Sequence, residues 1–108
     1  SGGQRQALAL IIATMSDIDL LLLDEHTAAL DPKSSETLMK ITEKVVKEKH
    51  LTTLMVTHNL RFAVEYGSRL VMMHGGKAVM DIDGEDKQKL AVDDILGKFN
   101  EISIECGN

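Results

Sequence analysis

Residues 20–25 read Leu20-Leu21-Leu22-Leu23-Asp24-Glu25, four consecutive leucines closed by two acids. A short apolar run without alternation fits a parallel strand covered on both faces, as in α/β folds. The residues that follow complete a unit. Asp31-Pro32 is a helix start with proline at the first helical position, and the helix is predicted to run to about Lys49. Leu38, Ile41, Val45 and Val46 supply its apolar stripe, while Lys40, Glu43, Lys44, Lys47 and Glu48 face water. Thr52–Val56, apolar and partly β-branched, reads as a second strand. Strand, helix and strand over 19–56 make one βαβ unit with a right-handed crossover.

Ser1-Gly2-Gly3-Gln4 precedes this unit and opens like a helix N-terminus, with a capping serine, two glycines and then helix formers. The predicted helix covers about Gly3 to Met15. Its run Ala7-Leu8-Ala9-Leu10-Ile11-Ile12-Ala13 is apolar nearly all round, so it is expected to be buried on most sides. Beyond the unit, Leu60 to Tyr66 reads as a short helix. Arg69–His74 and Lys77–Ile82 read as strands joined by Gly75-Gly76, a two-residue hairpin signal. Gly84-Glu85-Asp86 is expected to be a turn, Val92–Phe99 a final helix, and the last residues loose. No repeat or low-complexity segment interrupts the chain.

The 108 residues fit one domain and can bury roughly two-thirds of the unfolded surface. Apolar residues are 44% and charged residues 27%, an ordinary globular mixture. The aromatics are Phe62, Tyr66 and Phe99 alone, too few for base-stacking platforms, and the net charge of −5 disfavours a phosphate backbone; no nucleic-acid partner is expected. Residues 1–80 hold nine acids and nine Lys/Arg, whereas 81–108 hold eight acids and three lysines, so the excess lies in a solvated acidic tail. Cys106 is the only cysteine, which excludes an internal disulfide and a cysteine-rich zinc site and points to a reducing compartment. No apolar run approaches the ~20 residues of a membrane helix. Ala7–Ala13 has no basic segment before it and does not read as a signal peptide.

Chemistry is concentrated at three places. In parallel α/β sheets ligands bind beyond the carboxyl ends of the strands. Asp24 there can hold Mg²⁺ directly or through water, and Glu25 beside it can orient and deprotonate an attacking water. The plainer reading is a pair of acids at a strand-to-loop junction. His58 ends the second strand on the same rim, where an imidazole can donate to a phosphoryl oxygen, although a lone histidine is more often structural. Gly2 and Gly3 at a helix start leave backbone N–H groups open to an anion; a capping loop is the alternative. His26, His50 and His74 have no metal-ligand spacing with one another or with Cys106 and are read as incidental.

Ser1-Gly2-Gly3-Gln4, then Leu20-Leu21-Leu22-Leu23-Asp24-Glu25, then Ala29-Leu30-Asp31, then Val56-Thr57-His58 together resemble the ATP-binding subunit of ABC transporters. In order these look like the signature motif, the Walker B strand with its catalytic glutamate, the D-loop and the H-loop. The resemblance covers about Ser1 to Asp83. It implies an α/β fold, a partial P-loop NTPase (ABC ATPase) core of parallel strands with flanking helices plus a β-hairpin over 1–83, followed by an acidic helix and tail over 84–108. The run Asp24-Glu25-His26-Thr27-Ala28-Ala29-Leu30-Asp31-Pro32 is similar to a branch of importers for small organic solutes, amino acids among them. His26 departs from the family, which usually has proline there, and Ala7 and Ile12 stand where many relatives carry arginine.

The resemblance implies ATP and Mg²⁺ as cofactors, bound between two head-to-tail ATPase subunits. Ser1, Gly2, Gly3 and Gln4 would meet the nucleotide held by the other subunit, with Ser1 and Gly3 at the γ-phosphate. Asp24 would order Mg²⁺, Glu25 would be the general base, His58 would contact the γ-phosphate in cis, and Asp31 would link the two sites. Membrane-spanning permease subunits and a solute-binding protein are the implied partners, and the location is cytoplasmic, peripheral at the inner face of the membrane. A phosphate loop Gly-x-x-x-x-Gly-Lys-Ser/Thr is absent from the 108 residues: before and after Gly76-Lys77, Val71 and Ala78 occupy the first glycine and hydroxyl positions. The family's Walker A strand, adenine-stacking aromatic and Q-loop would precede Ser1. The chain is therefore expected to be the C-terminal portion of such a subunit, inactive alone and prone to self-association. Two other readings remain: an ABC-type ATPase of DNA repair or chromosome maintenance, and a non-catalytic degenerate fragment.

Overall fold

A computed structural model describes residues 2–105, and the elements follow the order α1 (Gly2–Ala13), β1 (Leu21–Asp24), α2 (Pro32–Lys49), β2 (Thr53–Val56), α3 (Leu60–Glu65), β3 (Arg69–His74), β4 (Lys77–Asp83), α4 (Gly84–Gln88) and α5 (Val92–Glu105). They form two compact units, one up to His58 and one from Asn59. The chain is thus mixed α/β with a parallel strand pair and helices.

In the first unit β1 and β2 pair in parallel, with Leu21 opposite Thr53, Leu22 opposite Leu54, Leu23 opposite Met55 and Asp24 opposite Val56. Leu21 and Leu23 point to one face and are buried with Leu10 of α1; Ile18, Ile41, Val46, Leu51 and Met55 pack against them. Among the described residues of this unit the expected cover on both faces is not found. Both helices lie on the Leu21–Leu23 side, so Leu22 stays 64% exposed, and Leu20, Leu54 and Val56 are exposed too. The same holds for α1: Leu10 is its one buried residue, while Leu8, Ile11 and Ile12 are exposed, because its apolar residues surround the helix and a neighbour covers one side.

Asp31 caps α2 as its sequence requires, with its side chain accepting from the Ser34 amide and Pro32 in the first turn. The helix ends on His50 in the left-handed conformation, φ 51°. Its buried stripe is Ser35, Leu38, Met39 and Thr42, whereas Ile41, Val45 and Val46 are half-buried. Two hydroxyls in that stripe have local work: the Ser35 hydroxyl donates to the Thr27 carbonyl at 3.2 Å, and that of Thr42 to the Leu38 carbonyl at 2.8 Å.

In the second unit β3 and β4 form the expected hairpin. Gly75 (φ 58°) and Gly76 (φ 77°) make the turn, two successive left-handed positions that glycine adopts without strain. Arg69 pairs diagonally across it with Asp81, donating from both Nε (2.8 Å) and a terminal nitrogen (2.6 Å). Leu70, Met72, Ile95 and Ile102 form the core here. Gly84-Glu85-Asp86, expected as a turn, begins the short helix α4. Gly84 reverses the chain at φ 56°, and Lys87, only 4% exposed, donates its Nζ to the carbonyls of Val64 (2.6 Å) and Tyr66 (3.2 Å), closing the end of α3. Each such carbonyl left unpaired costs about 1–3 kcal/mol, which helps to explain a buried lysine. The last helix extends from Val92 to Glu105 rather than to Phe99, since the buried pair Ile95 and Ile102 continues its apolar stripe by two turns. The residues expected to be loose at the C-terminus, with Cys106, lie outside the described residues.

Candidate functional site

Asp24 and Val56 are the register-matched last residues of β1 and β2, so Glu25 and His58 emerge together beyond the carboxyl ends of the two strands. The Glu25 amide donates to the Val56 carbonyl at 2.8 Å, continuing the ladder by one bond. Glu25 then turns the chain at φ 51°, a left-handed conformation that costs a non-glycine residue about 1–2 kcal/mol. Its carbonyl accepts from the Ala28 amide at 3.0 Å. This geometry throws the Glu25 side chain across the strand end, where Oε1 lies 2.8 Å from His58 Nε2. The ring of His58 is 90% exposed and Glu25 is a third exposed, so the pair faces solvent. Asp24 is exposed at the same rim.

A second group of candidate residues lies at the start of α1. Gly2 is exposed and Gly3 half-buried; a Cβ at Gly2 would come within 3.2 Å of Leu30, and one at Gly3 within 3.3 Å of Ser34. Both glycines therefore have a packing reason: they let the helix start approach the residues that flank Asp31. Gln4 is exposed one residue further on. The Asp31 carboxyl is exposed and is held below the usual aspartate range chiefly by hydrogen bonding from Ser34. Ser1 lies outside the described residues. The candidates thus fall into two groups, Asp24, Glu25 and His58 at the strand ends, and Gly2, Gly3 and Asp31 at the two helix starts.

His26 is not incidental. It is half-buried, and its Nε2 lies 3.1 Å from the Thr42 hydroxyl of α2. Burial lowers its pKa below the ordinary histidine value. The loop after β1 is thereby fastened to α2 at two places, through His26 to Thr42 and through the Thr27 carbonyl to Ser35.

Among the described residues no cluster of three or more His, Cys, Asp or Glu is placed to hold a metal ion by itself. Asp24 offers one open carboxylate. That donor set fits Mg²⁺ in the form it takes beside phosphates, with one or two carboxylates and the remaining positions filled by phosphate oxygens and water.

Two carboxylates and an imidazole beyond the ends of parallel strands define an α/β site of the kind that receives its ligand at the strand ends. No family model matches the chain. It is 54% identical over 99 residues, 92% of its length, to the tyrosine transport ATP-binding protein of Clostridioides difficile. It is 35% identical over 108 residues to the phosphonates import ATP-binding protein PhnC of Halobacterium salinarum, and 40% identical over 86 residues, 80% of its length, to the energy-coupling factor transporter ATP-binding protein EcfA2 of Bacillus cereus. The chain belongs to the ATP-binding proteins of ABC transporters. It spans 39% of the length of the first two relatives and 29% of the third.

Proposed function

We propose that the protein to which this segment belongs binds ATP with Mg²⁺ and hydrolyses it to drive solute movement through separate membrane subunits, and that the segment supplies the hydrolytic rim of a P-loop NTPase core. The observation that carries this is the Glu25–His58 pair, 2.8 Å apart at the carboxyl ends of two parallel strands in a chain of this family. Bound Mg²⁺ and ATP would supply the electrophilic phosphorus and neutralise its oxygens.

Each residue then has a task set by its place. Asp24 holds the metal from the rim. The Glu25 carboxylate accepts a proton from the attacking water. His58 Nε2 now donates to Glu25; its exposed ring is free to turn and donate to a γ-phosphate oxygen instead, leaving the carboxylate open for the water. Gly2, Gly3 and Gln4, with Ser1, present the start of α1 to a nucleotide held by a second, head-to-tail subunit. Asp31, packed beside that start, connects the two sites. The separation of the candidates into two groups supports this division between subunits. We assign the motif-bearing ATPase part to 1–83 and the acid-rich remainder to 84–108.

The parent assembly would include two ATPase subunits, permease subunits and a solute-binding protein, with the ATPase peripheral at the cytoplasmic face of the membrane. No helix among the described residues is long and apolar enough to cross a membrane. The higher identity to a tyrosine transport protein (54%) than to the PhnC and EcfA2 proteins (35% and 40%) supports a small organic solute of the amino-acid class. Steady-state ATPase assays on the full-length subunit and on the 108-residue chain test the reading. Turnover is expected from the full-length subunit alone, because the chain has no phosphate-cradling loop. Steady turnover by the isolated chain would overturn it.

A further inference from the structure

We propose that His26 is a positioning residue for Glu25, holding the strand-end turn in its left-handed conformation through the buried hydroxyl of Thr42. The inference rests on the reading of Glu25 as general base. Thr42 is buried, and its single hydroxyl proton is used on the Leu38 carbonyl, 2.8 Å away. The oxygen facing His26 at 3.1 Å must therefore accept, and His26 must donate from Nε2. That fixes the ring as a donor at Nε2, a definite tautomer dictated by α2.

Three tethers then surround Glu25. Its amide is tied to Val56 (2.8 Å), its carbonyl to the Ala28 amide (3.0 Å), and the next side chain along the loop to α2. A left-handed non-glycine residue persists only where its surroundings over-determine it. The first two are backbone bonds, one to the end of β2 and one within the turn. The third ties the turn to the long helix of this unit, one residue nearer Glu25 than the Ser35 bond to the Thr27 carbonyl, and a change of side chain removes it. Without it, Glu25 can relax toward negative φ, which swings its carboxylate away from His58 and from the place of an attacking water. Proline at this position, usual in the family, would stiffen the loop by fixing φ. His26 achieves the restraint by a side-chain bond.

The test uses the full-length subunit with His26→Ala, His26→Gln and Thr42→Val. Loss of the tether is expected to lower kcat by about 10–100-fold, the range for groups that orient a catalytic side chain, with KM for ATP unchanged within about twofold. His26→Gln, whose amide donates from a similar reach, should recover most of the rate. Combined with Glu25→Gln, His26→Ala should add no further loss. Independently of turnover, imidazole ¹⁵N spectra of the nucleotide-free subunit should show His26 protonated at Nε2, and His26→Ala should shift the His58 resonances. Wild-type kcat in His26→Ala, a parallel rise in KM, no rescue by glutamine, or an Nδ1–H ring at His26 would each overturn the proposal. Retained turnover in Glu25→Gln would instead show that the base is misassigned.

Discussion

His58 Nε2 lies 2.8 Å from Glu25 Oε1, joining the residues that follow two adjacent parallel strands. The bond spans the rim rather than running along one segment, so it reports whether β1 and β2 end in register. It also gives Glu25 a donor partner. Under the proposed roles, a carboxylate that waits in solvent for a water and a phosphate is held in place by a side chain that can let it go.

Strain is concentrated at that residue. Glu25 and His50 both sit at φ 51°, but only Glu25 stands at the candidate site. Replacing either with glycine relieves about 1–2 kcal/mol of backbone strain and costs about 0.5–1 kcal/mol in unfolded-chain entropy. Thermal melts of the full-length subunit should therefore show Glu25→Gly and His50→Gly no less stable than wild type, by a net gain of up to about 1.5 kcal/mol. Turnover should vanish in Glu25→Gly and persist in His50→Gly. A Glu25→Gly protein that melts well below wild type would show that the turn is not strained.

The hairpin carries its own pH signature. The bidentate Arg69 bond holds the Asp81 carboxyl below its ordinary 3.8, so near that pH the unfolded chain binds more protons than the folded one. The pair's contribution is present above about pH 4 and is lost as the pH falls through the folded value. Both groups are exposed, so the effect is small. Melts between pH 3 and 6 should show a steeper acid loss for wild type than for Asp81→Asn; identical slopes would mean the pair contributes nothing.

Much of this architecture is legible in the residues. Four leucines before Asp24-Glu25, Asp31-Pro32, and Gly75-Gly76 each have one economical structural reading, and the strands, the capped helix and the hairpin follow them. What was not legible depends on partners far along the chain. The one-sided cover of Leu22 is set by where the helices pack, and α4 by a lysine reaching back to Val64 and Tyr66. Of the candidate site, the placement of Asp24, Glu25 and His58 at the strand ends was legible from their position after apolar strands. The left-handed turn at Glu25 and its tether from His26 to Thr42 were not, since nothing in a histidine and a threonine 16 residues apart declares a bond.

The uncovered face of the strand pair has a consequence for the chain on its own. Leu20, Leu22, Leu54 and Val56 are exposed together, and among the described residues β1 and β2 pair only with each other, leaving their outer edges open. Such edges and patches take up another strand or surface, and at high concentration the one at hand is a second copy. Light scattering of the isolated chain should show a concentration-dependent rise in mass, reduced by Leu22→Lys. A compact monomer at tens of micromolar with a cooperative melt would contradict this.

The most direct test of the rim's chemistry is ATP turnover and ATP retention measured side by side in the full-length subunit carrying Glu25→Gln. Removing a positioned base should lower turnover by about 10²–10⁴-fold. The amide keeps the shape of the side chain and removes a negative charge near the polyphosphate, so bound ATP should be retained, with affinity equal to or above wild type. Turnover at the wild-type rate in Glu25→Gln would contradict the assignment of this rim as the hydrolytic site.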